Sequence, residues 1–130
     1  MDCVFCKIIK GELPSLTIFE DDVVKVFLDI EPSTNGDLLV VPKKHFESII
    51  DIDLDTLNHI NIVVKNLYPM LKEKLGFEGL TLVQNNGYGQ DIKHYHLHLT
   101  PRYSNDCLRH DFNKDLLINI EEVYNQLTDK

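Results

Sequence analysis

Three histidines alternate with apolar or aromatic residues in the segment His94-Tyr95-His96-Leu97-His98. Imidazole titrates near neutral pH, ligates metals and acts as an acid, a base or a nucleophile. In a β-strand, successive side chains point to opposite faces, so the three imidazoles would share one face and Tyr95 and Leu97 would enter the core. The pattern fits a metal site on one strand, a histidine nucleophile with histidine neighbours, or a polar solvent-exposed face.

A glycine-rich loop, residues 85–90 (NNGYGQ), precedes the histidines. Glycine lets the backbone approach a ligand closely and presents N–H groups to anionic oxygens. Alone, the loop is typical of a turn between strands. Next to three histidines it favours one half of a phosphate-binding site.

Two of the three cysteines form a Cys3-x-x-Cys6 pair. This spacing allows two thiolates to reach one tetrahedral zinc ion, which then needs two further ligands. A redox dithiol and two inert, small hydrophobic side chains are the alternatives. We expect Cys107 to be a free thiol, His59 to be structural and His110 to lie at the surface.

The overall charge limits the classes of partner. The 130 residues include 13 basic and 21 acidic side chains, a formal net charge of −8. That balance argues against nucleic-acid binding through a basic surface and against adhesion to anionic membranes. No apolar run approaches the ~20 residues of a membrane span, and the first ten residues do not resemble a signal peptide, so we expect a cytoplasmic protein. The length suits one domain, residues 1–130.

The periodicity predicts an α+β fold with a mainly antiparallel sheet. Apolar residues recur every three or four positions between a potential N-cap, Asp53, and a potential C-cap, Gly76, which predicts a helix of about six turns. Pro69 should kink or interrupt it. We predict a hairpin over 16–20 and 23–29, strands over 37–41, 79–84 and 93–100, and a short helix within 116–127.

These blocks together resemble the histidine-triad (HIT) family. Its signature is an alternating histidine triad after a Gly-Gln pair, here residues 89–98 (GQDIKHYHLH). The segments 5–14 (FCKIIKGELP), 19–22 (FEDD), 26–32 (VFLDIEP) and 39–45 (LVVPKKH) are also similar to family blocks. The resemblance covers about residues 3–103, whereas the tail, residues 104–130, matches nothing useful.

The resemblance implies a five-stranded antiparallel sheet with one long helix, and a homodimer with one purine-nucleotide site per subunit. Family members hydrolyse or transfer at the α-phosphorus of AMP or GMP derivatives. His96 would be the nucleophile that carries the nucleotidyl group, its tautomer held by the carbonyl of Leu97 or a neighbour. His98 would stabilise the developing charge on the phosphate.

Further roles carry over residue by residue from the family. Asp29 would bind the ribose hydroxyls. The base pocket and the phosphate contacts would come from, respectively, Ile8, Phe27 and Ile30, and from Asn85, Gly89 and Gln90. Asp91 replaces a serine of one branch and Asp37 replaces a common histidine, so neither receives a role.

Related proteins also complete a Cys-x-x-Cys zinc site with two histidines. The resemblance therefore implies one structural zinc per chain, bound by Cys3, Cys6, His45 and His94. The leading hypothesis is a HIT-family hydrolase of purine nucleoside phosphoramidates. A dinucleoside polyphosphate hydrolase, a nucleotide-binding regulatory protein with little turnover, and a purely metal-binding protein are the alternatives.

Overall fold

A computed structural model describes residues 3–107 and 112–128 of the chain. His110 lies outside the described residues. The elements follow in the order α1 (Val4–Ile9), β1 (Thr17–Glu20), β2 (Val24–Leu28), β3 (Leu38–Pro42), α2 (Leu54–Leu75), β4 (Gly79–Gln84), β5 (Leu97–Arg102), a 3₁₀ turn (Lys114–Leu116) and α3 (Ile120–Thr128). The five strands form one sheet of order β1-β2-β3-β5-β4 in which every neighbouring pair is antiparallel. The predicted α+β class and five-stranded antiparallel sheet are confirmed.

The central strands are apolar on both faces because both faces of the sheet are covered. On β3, Leu38 and Val40 join the core beneath α2, whereas Leu39 and Val41 join a second cluster beneath α1. This alternation follows from the two-residue period of a strand. The sheet therefore has a face packed on the long helix and a face packed on the N-terminal segment.

The long helix α2 has the predicted boundaries. The Asp53 carboxylate accepts the Thr56 N–H at the N-terminus, and Gly76 ends the helix in the left-handed conformation with φ of 68°. The predicted interruption at Pro69 is wrong, since one helix runs through it. Buried residues on both sides of the proline, Val64 and Leu71, pack the helix onto the core.

His59 has the structural position expected for it. Its Nε2 lies 2.6 Å from Oδ2 of Asp21, whose Oδ1 accepts the N–H groups of Val23 and Val24 at 2.8 Å each. These contacts tie α2 to the turn between β1 and β2.

The strand that carries His98, β5, starts later than predicted. β5 begins at Leu97 rather than at residue 93, because Leu97 is the first residue of this segment with ladder partners, Val40 on β3 and Gln84 on β4. His94 and His96 therefore precede the ladder. The N-terminal helix α1 was not predicted either, since its six residues are too few for a periodic signal.

The C-terminal segment contains the predicted short helix, but it buries none of its residues. The 3₁₀ turn and α3 have no buried side chain, and Leu127 is 80% exposed. Among the described residues, no helix is long and apolar enough to cross a membrane.

Candidate functional site

Two cysteines and two histidines converge where α1, the segment after β3 and the segment before β5 meet. One ligand atom from each of Cys3, Cys6, His45 and His94 lies within 4.8 Å of all the others. The Cys3 Sγ–His94 Nδ1 and Cys6 Sγ–His45 Nδ1 distances are both 3.3 Å, and the two Nδ1 atoms are 3.0 Å apart. Four atoms from three parts of the chain thus surround one point.

The ring of His94 is oriented to present a lone pair to this cluster. It is fully buried, and its Nε2 lies 2.8 Å from the Pro42 carbonyl oxygen. A carbonyl only accepts, so Nε2 carries the proton and Nδ1 keeps its lone pair. Burial lowers the pKa of His94 to about 4, so the ring is neutral at pH 7.

The sulfurs lack a compensating positive charge among the four ligands. Burial, and next the Cys3 sulfur through a hydrogen bond and its charge, raise the pKa of the Cys6 thiol to about 11. Two adjacent thiolates form readily when a cation binds between them, because metal binding displaces the thiol protons.

The cluster has the size of a tetrahedral zinc site. Zinc bond lengths predict edges of roughly 3.5 Å between sulfur and nitrogen and roughly 3.3 Å between two nitrogens. The Cys6 Sγ–His94 Nδ1 distance is 3.5 Å, and the other edges given above are within a few tenths of an ångström of these values. The donor set and the spacing therefore fit zinc.

His96 is held separately from the cluster. Its Nδ1 lies 2.7 Å from the carbonyl oxygen of His94, so Nδ1 carries the proton and Nε2 has the lone pair. The carbonyl of a neighbour, rather than that of Leu97, orients the ring. The side chain is 2% exposed, and burial lowers its pKa, which favours the neutral, nucleophilic form.

Phe5 on α1 packs against the rings of both His94 and His96. Its ring packs edge-on against His96, with centroids 5.0 Å apart, and against His94 at 5.9 Å. His98 completes the row with its centroid 4.9 Å from that of His96.

A largely apolar cleft of about 450 Å³ opens beside His96 and His98. The turn after α1 and the segment after β2 form its walls. Its lining comprises Val4, Phe5, Ile8, Leu13, Pro14, Ser15, Phe27, Leu28, Asp29, Ile30, Glu31, Leu39, Asp91, Ile92, His96 and His98.

Most of the expected nucleotide-contacting residues lie together here. Ile8, Phe27, Asp29 and Ile30 line the cleft together with the two histidines. Asn85 lies in an adjoining cleft of about 210 Å³, which shares Asp29 and His98 with the first.

Gly89 and Gln90 are not among the lining residues of either cleft. Gln90 is buried, and its side-chain amide donates to the Glu47 carbonyl at 2.7 Å and accepts the Gly87 N–H at 3.2 Å. Gly89 has a φ of 95°, a left-handed conformation that favours glycine. These two residues shape the loop, and the Gln90 side chain is hydrogen-bonded within the chain.

Three residues without a sequence-predicted role contribute to the site. Phe5 contacts two triad histidines, and Asp91 Oδ1 lies 3.7 Å from His96 Nε2. Asp37 is buried and accepts the Thr100 hydroxyl and the Ser33 N–H, which braces the loop after Asp29. An aspartate within a segment carries no sequence signal for such contacts, and α1 is too short for its apolar spacing to indicate Phe5.

Comparison with known proteins identifies the class of protein. The HIT domain family matches residues 10–105. An uncharacterised HIT-like protein of Methanocaldococcus jannaschii is 42% identical over 96% of this chain and 98% of its own length. An adenosine 5′-monophosphoramidase of Candida albicans is 41% identical over 77% of this chain and 70% of its own length. An adenylylsulfatase of Arabidopsis thaliana is 37% identical over 82% of this chain and 55% of its own length.

Solved structures agree with this assignment. A HIT family protein of Bacillus anthracis covers 98% of this chain and 96% of its own, with a TM-score of 0.81 and 32% identity. A zinc-bound histidine triad family protein of Mycobacterium smegmatis covers 88% and 86%, with a TM-score of 0.78 and 34% identity. The chain belongs to the HIT family, some of whose members are nucleotide hydrolases.

The hydrogen bonds predict opposite tautomers for two histidines that are only two residues apart. In the metal-loaded protein, His94 should carry its proton on Nε2 and His96 on Nδ1, because each of these nitrogens faces a carbonyl oxygen. Long-range ¹H–¹⁵N correlation spectra at pH 7 measure both states, with the partly exposed His59 as a reference. Identical tautomers in His94 and His96 would contradict the geometry.

Proposed function

We propose that this chain is a nucleotide hydrolase that cleaves purine nucleoside phosphoramidates at the α-phosphorus through a covalent nucleotidyl-His96 intermediate. The observation that supports this most directly is the state of His96. Its proton is held on Nδ1 by a backbone carbonyl, and its ring lines an apolar cleft. A neutral imidazole with its lone pair directed away from the backbone is a competent nucleophile at pH 7.

The reaction proceeds in two displacements. In the first, Nε2 of His96 forms a bond to phosphorus while the P–N bond breaks, and the leaving nitrogen keeps the electron pair and takes a proton from water. In the second, water attacks phosphorus, the P–Nε2 bond breaks, and one proton returns to solvent. The products are the nucleoside monophosphate and the free amine, and His96 is regenerated neutral.

The neighbouring residues suit the parts of such a substrate. His98 donates to a phosphate oxygen as negative charge develops there. The apolar lining at Ile8, Phe27 and Ile30 accepts a purine ring, and the Asp29 carboxylate accepts hydrogen bonds from the ribose diol. Asn85 contacts the phosphate from the adjoining cleft, whereas Gly89 and Gln90 position the loop.

The triad is divided between two tasks, which favours an enzyme over a protein that uses all three histidines as metal ligands. His94 lies in the Cys/His cluster, and His96 and His98 line the cleft. The retained nucleophile and cleft also weigh against a regulatory protein without turnover.

Replacing His96 should abolish turnover. We expect the protein to release AMP from adenosine 5′-phosphoramidate, and His96→Ala to lower kcat by at least about 10³-fold, because the attacking atom is lost. Chromatographic quantification of AMP gives the rates. When the reaction is stopped with a denaturant at neutral pH, the wild-type protein should carry a covalent adenylyl group and His96→Ala should not.

His59→Gln provides the matched control. His59 is on α2, which covers the opposite face of the sheet, so its replacement should leave kcat within about twofold. Full activity of a folded His96→Ala protein would refute the covalent mechanism. An inactive wild type that hydrolyses dinucleoside polyphosphates instead would favour the alternative hydrolase.

We further propose that Cys3, Cys6, His45 and His94 bind one structural zinc per chain. The four donors leave no position for substrate, as in closed structural sites. Bound zinc would connect α1 to the segment that carries His96. Thiolate ligands persist in a reducing compartment, which supports a cytoplasmic location.

Removing one ligand should remove the metal. Elemental analysis should give about one zinc per chain in the wild-type protein and much less in Cys6→Ser. Without the bound metal, the free energy of unfolding of Cys6→Ser should decrease by ~3 kcal/mol, which lowers the Tm by about 10 °C. Cys107→Ser, which changes an exposed thiol outside the cluster, should retain the metal and the Tm. Stoichiometric zinc in Cys6→Ser with an unchanged Tm would rule out this ligand set.

We also propose that two copies of the chain associate through the β4 edge. β4 is the last strand of the sheet, so one side of its backbone is unpaired. Leu82 aligns with the fully buried Leu99 and therefore lies on the face beneath α2, yet it is 48% exposed. A second copy pairing along β4 would cover Leu82 and satisfy the edge.

Light scattering tests the association. The wild-type protein should have about twice the 15.1 kDa mass of one chain. Leu82→Lys should shift it toward the monomer, because burying an ammonium at the interface is costly. Ile18→Lys changes a 44% exposed side chain on β1, the strand at the opposite edge of the sheet, and should not. A monomeric wild type, or a dimer unaffected by Leu82→Lys, would argue against this interface.

A further inference from the structure

A carboxylate stands directly beside the nitrogen that is proposed to attack phosphorus. Asp91 Oδ1 lies 3.7 Å from His96 Nε2, and the same oxygen accepts the Ile92 N–H at 2.9 Å. The backbone bond orients the carboxylate. Asp91 itself is 78% exposed and lines the cleft, so a substrate bound against His96 meets this negative charge.

The rest of the cleft does not neutralise that charge. Asp29 and Glu31 add two more carboxylates, and the described lining contains no lysine or arginine. Lys93, two residues from Asp91, does not line this cleft; its ammonium donates to the Gly87 carbonyl at 3.0 Å, and it lines a third cleft, beside His45, to which Asp91 also contributes. Among the described residues that line the cleft, the only basic groups are His96 and His98.

We propose that Asp91 is a specificity-determining residue that selects substrates by the charge of the leaving group. It favours nucleoside phosphoramidates of amines that carry an additional positive charge, and it disfavours leaving groups that are anionic. This inference rests on the proposed function and specifies its substrate class.

The physical basis is the electrostatic interaction between the Asp91 carboxylate and the charge that the leaving amine carries. During the first displacement, the leaving nitrogen gains the electron pair of the P–N bond and a proton from water, so the amine departs past the Asp91 carboxylate. A cation attached to the leaving amine is attracted to Asp91, and an anion is repelled. Since Asp91 is largely exposed, water and salt screen the interaction, and we expect about 3- to 10-fold discrimination per unit charge.

Three substrates with the same nucleoside and the same P–N bond provide the test. They are adenosine 5′-phosphoramidates of alkyl amines whose far ends carry an ammonium, a neutral amide or a carboxylate. The wild-type kcat/KM should decrease in that order. Asp91→Asn keeps the shape of the side chain and removes its charge, so the ammonium-to-carboxylate ratio, which spans two unit charges, should fall about 10- to 100-fold, and added salt should also reduce the wild-type ratio.

The comparison between variants cancels differences in amine reactivity. Asp22→Asn removes an equal charge from an exposed turn outside the cleft and should keep the wild-type ratio. A Tm of Asp91→Asn equal to that of the wild-type protein verifies folding. His96-dependent turnover with the same ratio in Asp91→Asn would overturn this inference alone, whereas no turnover of any of the three by the wild type would overturn the proposed function with it.

Discussion

The candidate site depends on the buried ring and backbone of His94, which make three different connections at once. Nε2 bonds to the carbonyl of Pro42 at the end of β3, and Nδ1 points into the Cys/His cluster. The His94 carbonyl oxygen lies 2.7 Å from Nδ1 of His96. A displacement of His94 would therefore change the ligand set and the orientation of the proposed nucleophile together. The hydrogen bond from His94 to the Pro42 carbonyl resembles those in other metal sites, where a hydrogen-bond acceptor beside the ligating histidine sets its tautomer.

The sheet provides the second constraint, because its register determines what lies around the histidines. Phe27, Leu39, His98 and Val83 are successive cross-strand partners on β2, β3, β5 and β4. They form a row on the face that packs against α1. The ladder is rigid, so the position of His98 relative to the apolar wall at Phe27 is fixed by backbone hydrogen bonds. His96 lies just before the ladder, where β4 has ended and the pairing with β3 has not begun, and its own hydrogen bond has to orient it.

Sequence patterns predicted the elements with strong periodicity and missed those set by distant contacts. The boundaries of α2 followed from Asp53 and Gly76, because caps and an apolar stripe are local signals. The start of β5 was wrong because a strand begins where its cross-strand pairing begins, here with Val40 and Gln84, and that pairing is not encoded in the segment itself. The alternation His94-x-His96-x-His98 indicated one shared face. It did not reveal that the first ring would join a cluster with residues about 90 positions away. The same limit applies to Asp91 and Asp37, whose roles depend on partners remote in sequence or on exposure.

The helix α1 links the metal cluster with the proposed substrate cleft. Cys3 caps the helix and Cys6 lies on it, and both enter the cluster, while Phe5 and Ile8 line the cleft. A six-residue helix is far below the length of about 12–15 residues at which an isolated helix persists in water. Tertiary contacts must therefore hold α1, and the packing of Phe5 on two histidine rings is one of them. Ligation of the two cysteines would supply the other. A closed metal site without any part in the chemistry can in this way determine the shape of the cleft, since the wall that contacts a substrate is the same helix that contacts the metal.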